Sequence, residues 1–196
     1  MLIDLHCHTA PRSSCSDLAP RELIEFARQR GLGAICLTEH DTWWPEDEIA
    51  ALRAEAGFPV FHGVELTTDM GHILAFGLPP PVAPLATARN VFDHAAAHGG
   101  VLFLAHPARD GLLKVTAETV TYFASVEALN GSDSRLQNMA ATGLAKGFRL
   151  PGIGGSDAHT ADEVGRTATS FDVPVHDQAE LLAALHAGSY QAVTLE

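Results

Sequence analysis

The chain begins with Met1-Leu2-Ile3-Asp4-Leu5-His6-Cys7-His8, a short apolar run that delivers two histidines at positions i and i+2. Successive side chains of a β-strand point to opposite faces. His6 and His8 therefore point the same way from the end of a predicted strand. Two imidazoles in this arrangement suit a single metal ion, but one H-x-H is equally compatible with solvated histidines. The interpretation depends on whether the pattern recurs.

Side chains of the metal-ligand type do recur at the ends of apolar runs. The full set is His6, His8, His40, Glu65, His72, His106, Asp157 and His159. Imidazole and carboxylate groups are the ligands of Zn²⁺, Mn²⁺ and iron. Because one ion takes three or four protein ligands, the set predicts two or three divalent ions. Such sites suit phosphoryl transfer, since the cations stabilise both the attacking and the leaving oxygen.

The segments between these positions predict strands that alternate with helices. Helices are predicted near 20–31, 45–56, 87–98, 117–123, 134–146 and 177–186. Strands are predicted at 1–8, 34–37, 60–64, 72–77, 101–105, 125–129, 150–153, 168–171 and 190–194. This alternation is typical of an α/β protein with a parallel sheet.

The distribution of ligand-type residues favours one of two parallel α/β architectures. They follow nearly every strand, which favours a closed barrel of about seven β/α units with its site at the carboxyl ends of the strands. With 196 residues against about 250 in a standard barrel, the loops must be short. A doubly wound open sheet is the alternative, in which functional residues would cluster at a switch point.

Length and composition predict a single domain over residues 1–196. An apolar content of 46% and a charged content of 18% are typical of a soluble globular protein. There is no apolar run near the ~20 residues that span a bilayer, and no signal-peptide pattern. The three cysteines have irregular spacing and predict no disulfides, hence a cytoplasmic location. We expect no membrane partner, and the oligomeric state stays open.

The net charge of −12 argues against binding to duplex nucleic acid, which requires clustered Lys and Arg. It is compatible with a small phosphorylated substrate, because bound divalent metals would reverse the local field.

Six motifs in order resemble the polymerase and histidinol phosphatase (PHP) family of metal-dependent phosphoesterases. They span residues 4 to 159 and are Asp4-Leu5-His6-Cys7-His8, Thr38-Glu39-His40-Asp41, Gly63-Val64-Glu65, His72-Ile73-Leu74, Ala105-His106-Pro107 and Gly155-Ser156-Asp157-Ala158-His159. Each motif alone is weak, whereas six in the family's order form a specific pattern. The resemblance implies a distorted barrel of about seven β/α units that holds two or three metals.

The resemblance also implies how the ligands divide among the ions. The first ion would be held by His6, His8, Glu65 and Asp157. Glu65 would bridge to a second ion on His72 and His106, and a third would be held by His40 and His159. The family usually adds a loop ligand to the third site. That slot falls on Cys15, and Asp17 follows two residues later. We predict Asp17; a thiolate at Cys15 would suit Zn²⁺ but not Mn²⁺.

The predicted function is hydrolysis of a small phosphate mono- or diester by a metal-bound hydroxide. Asp157 belongs to the catalytic set, and His159 or His40 is the candidate that protonates the leaving oxygen. Arg12 and Arg109 are candidates for phosphate contact, with Arg166 a third.

Two further predictions concern residues outside the ligand set. Glu127 is predicted to hydrogen-bond a ligand imidazole from behind. Surface roles are expected for the remaining histidines, which are His62, His94, His98, His176 and His186.

Two other functions fit parts of the pattern. A metal-dependent amidohydrolase also uses H-x-H on a first barrel strand, but no lysine that could form a carboxylated metal bridge lies at a strand end. A non-catalytic accessory PHP module within a larger assembly is the second alternative.

Overall fold

Two five-stranded sheets form the framework of the protein in a computed structural model that describes residues 1–109 and 115–195. The strands are β1 (Leu2–Cys7), β2 (Ala34–Leu37), β3 (Val60–His62), β4 (Val64–Thr68), β5 (Gly71–Phe76), β6 (Val101–Leu104), β7 (Ser125–Asn130), β8 (Ile153–Gly155), β9 (Thr167–Phe171) and β10 (Tyr190–Thr194). The helices are α1 (Pro20–Gln29), α2 (Glu46–Ala56), α3 (Ala88–His98), α4 (Arg135–Ala145) and α5 (Gln178–Ala187), with a short 3₁₀ helix at Thr119–Tyr122.

The strand order is β10-β9-β1-β2-β3 in the first sheet and β4-β5-β6-β7-β8 in the second. Pairing is parallel within β1-β2-β3 and within β6-β7-β8. It is antiparallel for β4 with β5, β5 with β6, and β9 with both β1 and β10. The α/β class is confirmed, but the described residues form two sheets rather than one continuous closed barrel.

The predicted strand that ends at Glu65 is two strands, because the chain passes from one sheet to the other at Gly63. β3 pairs with β2, and β4 pairs with β5. A Cβ atom at Gly63 would lie 2.9 Å from both the Ala75 carbonyl oxygen and the Phe76 ring. Only glycine permits this close crossing.

Isolated backbone contacts join the two sheets along two seams. At the first seam, the amide of Asp157 donates to the His6 carbonyl (2.7 Å) and that of His8 donates to the Ala158 carbonyl (3.1 Å). At the second seam, the amide of Glu65 donates to the Glu39 carbonyl (3.1 Å). Both seams run beside the residues that were predicted to bind metal.

The helices pack on the outside of the sheets through apolar faces. Leu23, Ile24 and Ala27 of α1 are buried, as the periodicity of the sequence predicts. Pro20 begins this helix, and α2, α3 and α5 each end in a glycine of left-handed conformation. Among the described residues, no helix combines the length and apolarity that a membrane span requires.

Candidate metal centre

Eight predicted ligands converge between the two sheets: six lie at or after the ends of β1, β2, β6 and β8, and Glu65 and His72 lie near the starts of β4 and β5. Their ligand atoms form four groups, within each of which all atoms lie within 4.8 Å of one another. The groups are His6/His8/Asp157, His6/Glu65/His106, His40/Glu65/His72 and His8/His40/His159. Each strand-end ligand proposed from the sequence belongs to at least one group. His40 belongs both to the group of Glu65 and His72 and to the group of His159, whereas the predicted division of ligands placed it with His159.

Glu65 lies at the centre of the constellation. Nitrogens of His6 (3.3 Å), His8 (3.2 Å) and His40 (3.0 Å) surround its Oε2. Nitrogens of His72 (2.9 Å) and His106 (3.0 Å) face its Oε1. Although three nitrogens are close, Oε2 is buried and no group meets it with hydrogen-bond geometry. A carboxylate that bridges cations would have these surroundings.

The tautomers of three imidazoles are fixed from outside the cluster. Nδ1 of His6 donates to Glu127 Oε1 (2.9 Å), and Nδ1 of His159 donates to the Asp157 carbonyl (2.9 Å). Nδ1 of His8 lies 3.3 Å from Ser13 Oγ, which itself donates to Glu39. The Nε2 lone pairs are thus left for a ligand.

The lone pairs of His6 and His8 oppose each other directly. Their Nε2 atoms are 3.0 Å apart, and Asp157 Oδ1 lies 3.4 Å and 3.3 Å from them. Two lone pairs at this distance repel unless a proton or a metal ion lies near both. The donor set of imidazoles and carboxylates therefore fits divalent metals of the zinc, manganese or iron type.

Glu127 supports the cluster from behind, as predicted. It is buried, its Oε1 accepts from His6, and its Oε2 accepts from the backbone amide of His106 (2.8 Å) and from Asn130 Nδ2 (2.9 Å). Asn130 also donates to Asp157 Oδ2 (3.3 Å). Glu127 thus orients His6 and His106 directly and Asp157 through Asn130.

Glu39 is a functional residue that the sequence analysis did not single out. This buried carboxylate accepts hydrogen bonds from Thr9, Ser13 and Trp44. These contacts fix the loop after β1 and place Ser13 behind His8. Its position directly before the ligand His40 was the available signal.

Backbone strain is concentrated at the same site. The described non-glycine residues with positive φ are Asp41 (+49°), His106 (+24°) and Asp157 (+54°). Two of the three are candidate ligands, and the third follows the ligand His40. Such conformations cost free energy and persist where surrounding contacts impose them, typically at functional sites.

The charges of the cluster are strongly coupled. Burial disfavours ionisation of Glu65, but the surrounding imidazoles, led by His6, outweigh it and hold the pKa of Glu65 well below its usual range. The pKa of Asp157 is lowered in the same way. Burial also opposes a charge on His6, yet the carboxylates of Asp157, Glu127 and Glu65 raise its pKa well above the ordinary value. Burial lowers the pKa of His40.

The predicted loop ligands lie beside the third group without joining it. Asp17 is exposed, and its backbone amide donates to the His159 carbonyl (3.0 Å). None of the four groups found among the described residues includes Asp17 or Cys15. Partial burial and the nearby carboxylates of Glu65 and Asp157 raise the pKa of the Cys15 thiol. Asp17 as a ligand stays a prediction.

The three candidate arginines lie in different surroundings. Arg109 borders the metal centre: its Nη1 is 2.9 Å from Asp157 Oδ2, and its Nε pairs with Asp133. Arg12 pairs with Glu48 (2.7 Å), and its guanidinium lies 4.3 Å from the centre of the Trp44 ring. Arg166 pairs with Asp162 on the surface.

The histidines expected to have surface roles are placed outside the cluster. Their ring nitrogens contact surface carboxylates or backbone carbonyls, for His62, His94, His98, His176 and His186.

Comparisons with known proteins agree with this class of site. A family model described as PHP-associated matches residues 135–190. A 3',5'-nucleoside bisphosphate phosphatase of Chromobacterium violaceum is 38% identical over 88 residues, which cover 43% of this chain and 30% of that protein. The match therefore spans less than a third of this relative's length.

Two solved structures share the fold. One is a two-domain protein from Bacteroides vulgatus that contains a predicted PHP-like metal-dependent phosphoesterase, with a TM-score of 0.74 and 23% identity over 100% of this chain and 65% of that chain. The other is an amidohydrolase from Chromobacterium violaceum with bound sulfate and no metal, with a TM-score of 0.69 and 18% identity over 98% of this chain and 97% of that chain.

Fold and site together define an α/β protein with a cluster of imidazoles and carboxylates suited to divalent metals. Over part of its length the chain is similar to PHP-associated proteins and to a phosphatase, and it shares its fold with a PHP-like structure.

Proposed function

We propose that the chain is a metal-dependent phosphoesterase that hydrolyses a small phosphate mono- or diester. One observation carries this proposal: five imidazole nitrogens lie within 3.3 Å of the two oxygens of the buried Glu65. A carboxylate with imidazoles on both oxygens suits a bridge between two ions, the arrangement used for in-line phosphoryl displacement.

The residues of the centre would hold two or three ions of zinc, manganese or iron. Bound there, the metals supply a nucleophile near neutral pH and neutralise charge on the transferring phosphoryl group. Glu127 and Ser13 keep the His6 and His8 lone pairs turned towards the ions. Asp157 contributes Oδ1 to this side while its Oδ2 is held by Arg109.

Substrate would enter where the ligands are partly exposed. The side chains of His40, His72 and His159 are 27–32% exposed, whereas His6 and His8 are completely buried. Arg109 is 28% exposed beside Asp157 and presents a planar guanidinium suited to phosphate oxygens. Both arginines are paired with carboxylates, but Arg109 contacts the candidate ligand Asp157, whereas Arg12 pairs with Glu48 away from the cluster, so Arg109 is the stronger candidate.

His159 and His40 are the candidates for the group that protonates the leaving oxygen. Both lie on the exposed side of the cluster. Because Nδ1 of His159 donates to the Asp157 carbonyl, this role requires an Nε2 that carries a proton and does not bind a metal.

Nucleotides are the first substrates to test. The similarity to a nucleoside bisphosphate phosphatase supports phosphorylated nucleosides, and the net charge of −12 disfavours duplex nucleic acid.

An amidohydrolase is the second candidate, since one structure with the same fold carries that name. A carboxylated lysine bridge would require a lysine among the ligands. Glu65 occupies the centre instead, and among the residues that the structure describes the lysine is Lys146, just beyond α4. The phosphoesterase is therefore favoured.

Turnover by metal-loaded protein tests the proposal. We expect release of phosphate from p-nitrophenyl phosphate or adenosine 3',5'-bisphosphate with at least one of Mn²⁺, Zn²⁺ or Fe²⁺. Activity should fall by at least ~10³-fold in Glu65→Ala and in Asp157→Ala, because each loses a metal ligand. The surface variant His98→Ala is the matched control and should retain activity. An active Glu65→Ala/Asp157→Ala double variant would refute the mechanism.

A further inference from the structure

A second concave site lies outside the metal centre, between helix α4 and the start of β9. We call it the α4 groove; its volume is about 560 Å³. One face of α4 forms its first wall, with residues at i, i+3, i+4, i+7, i+8 and i+11, namely Arg135, Asn138, Met139, Thr142, Gly143 and Lys146. The opposite wall contains Arg166, Thr167 and Thr194. Its size is in the range of small-molecule sites.

The charge of the α4 groove is opposite to that of the protein. The chain has 12 basic and 24 acidic residues, yet Arg135, Lys146 and Arg166 all line this one concavity. The acidic residue in its lining is Asp133, which is already paired with Arg109. The groove is therefore a local site of positive charge on an acidic surface.

The cations of the α4 groove are available to a ligand. Arg135 and Lys146 are exposed and form no ion pair with any residue that the structure describes. Arg166 pairs with Asp162, but both side chains are largely exposed, so that pair is weak and readily exchanged. Three cations without strong protein partners favour an anionic occupant.

The groove also offers apolar and hydrogen-bonding surface. Met139 is 60% exposed, and Leu129 contributes at the end of β7. The Thr142 hydroxyl donates to the Ala128 carbonyl and can still accept a hydrogen bond on the same wall, whereas both amide atoms of Asn138 are bonded to the Asn130 backbone. This combination suits a ligand with a planar apolar portion and donor or acceptor edges in addition to its anionic groups, which describes a nucleobase on a phosphate.

Gly143 keeps the middle of the groove open. A glycine inside a helix lowers stability relative to alanine and is usually explained by close packing. At Gly143, however, an added Cβ would meet no atom within 4 Å. The missing side chain therefore leaves space in the groove rather than room for a neighbouring element.

We infer that the α4 groove binds a nucleotide, with its phosphates on Arg135 and Arg166 at the start of the helix and its base along Met139 towards Lys146. This inference does not depend on the proposed phosphoesterase activity, because the groove includes no member of the four ligand groups. The nearest link is Asn130, which lines the groove and donates to Asp157.

Fluorescence anisotropy with N-methylanthraniloyl-ADP tests the inference on the full chain, both metal-loaded and after chelator treatment. We expect binding in both states. The Arg135→Gln/Arg166→Gln variant should bind at least ~10-fold more weakly because two charge-assisted contacts are lost. Gly143→Leu should weaken binding similarly by filling the groove without changing charge. Gly143→Ala is the matched control, and thermal unfolding establishes that each variant folds.

Two outcomes would overturn the inference. One is unchanged affinity in both the charge variant and Gly143→Leu. The other is loss of all binding on metal removal, which would place the probe at the metal centre. Phosphoesterase assays on the same samples separate the two proposals. Nucleotide binding without turnover would support the groove as a binding site and contradict the proposed phosphoesterase activity.

Discussion

Glu127 is the single residue on which the alignment of the metal ligands depends most. Its two oxygens accept three hydrogen bonds, from the His6 ring, the His106 amide and the Asn130 side chain. All three partners are donors, so the site requires a group that only accepts. An ionised carboxylate satisfies this requirement and an amide does not.

Glu127→Gln should therefore weaken metal binding although the side chain keeps its size. One of its terminal atoms becomes a donor that faces other donors, which releases His6 or His106 from its orientation. We expect a loss of roughly 10- to 100-fold in metal affinity, measured by competition with a chromogenic chelator. Glu118→Gln, at an exposed position, is the control. Equal affinity for both variants would mean that Glu127 serves folding alone.

Metal binding should strengthen as pH rises, because protons must leave the imidazoles first. In the metal-free protein the pKa of His6 lies well above its ordinary value of about 6.5, so its proton stabilises the fold below that value. This contribution is lost as pH rises through the folded-state pKa. The pKa values of Glu65 and Asp157 are lowered, so both stay ionised throughout.

We expect the difference in Tm between metal-loaded and metal-free protein to widen between about pH 6 and about pH 8. Calorimetric titrations with metal in two buffers of different ionisation enthalpy should detect proton release. A constant Tm difference with no proton release would show that the imidazoles are already neutral in the metal-free protein.

The sequence identifies the residues that converge in the candidate metal centre better than it identifies the residues that support them. His6 and His8 follow from the two-residue period of a strand, and Glu65 from its place after an apolar run. Ser13 and Glu39 act through a loop whose conformation has no periodic signal, so their link to His8 emerges only when the chain is folded.

Among the elements, β8 lies unusually close to β1. A Cβ atom at Gly155 would lie 2.4 Å from His6 Cβ and 2.7 Å from the His6 backbone nitrogen. Gly155→Ala should therefore displace β8 or β1, destabilise the protein by about 1–3 kcal/mol and weaken metal binding. Denaturation in urea and metal titration measure the two effects.

Gly143→Ala is the matched comparison within α4, where an added Cβ meets open space. It should stabilise the protein by about 0.5–1 kcal/mol because alanine favours the helix. Equal stability of Gly143→Ala and Gly155→Ala would mean that β8 and β1 can move apart at Gly155 with little loss of free energy.

The predicted helices and strands largely coincide with the observed ones, but four pairs of neighbouring strands are antiparallel where a parallel sheet was predicted. Glu65 and His72 lie on the neighbouring strands β4 and β5, joined by a turn at Asp69–Met70. A parallel crossover needs about ten or more residues, so this short connection permits only an antiparallel hairpin. The positions of candidate ligands at strand ends do not indicate whether neighbouring strands run parallel or antiparallel.

At the scale of the whole molecule, the metal centre lies between the two sheets. His6 belongs to the first sheet, and Glu65 and His72 belong to the second. The sheets share a hydrophobic core and a few backbone contacts, such as His40 with Glu65 and Cys7 with Ala158, and ions held by all three residues would add a further connection beside these contacts. Metal binding is therefore expected to stabilise the junction more than either sheet.

Hydrogen exchange should reveal this selectivity. On chelation, we expect faster exchange of the seam amides of His8, Glu65 and Asp157, because their hydrogen bonds lose the cross-link that holds the sheets together. The amides that pair β9 with β10 lie away from the junction and provide the internal control. Uniform acceleration at both places would instead mean that the ions stabilise the domain as one cooperative unit, with no particular role at the seams.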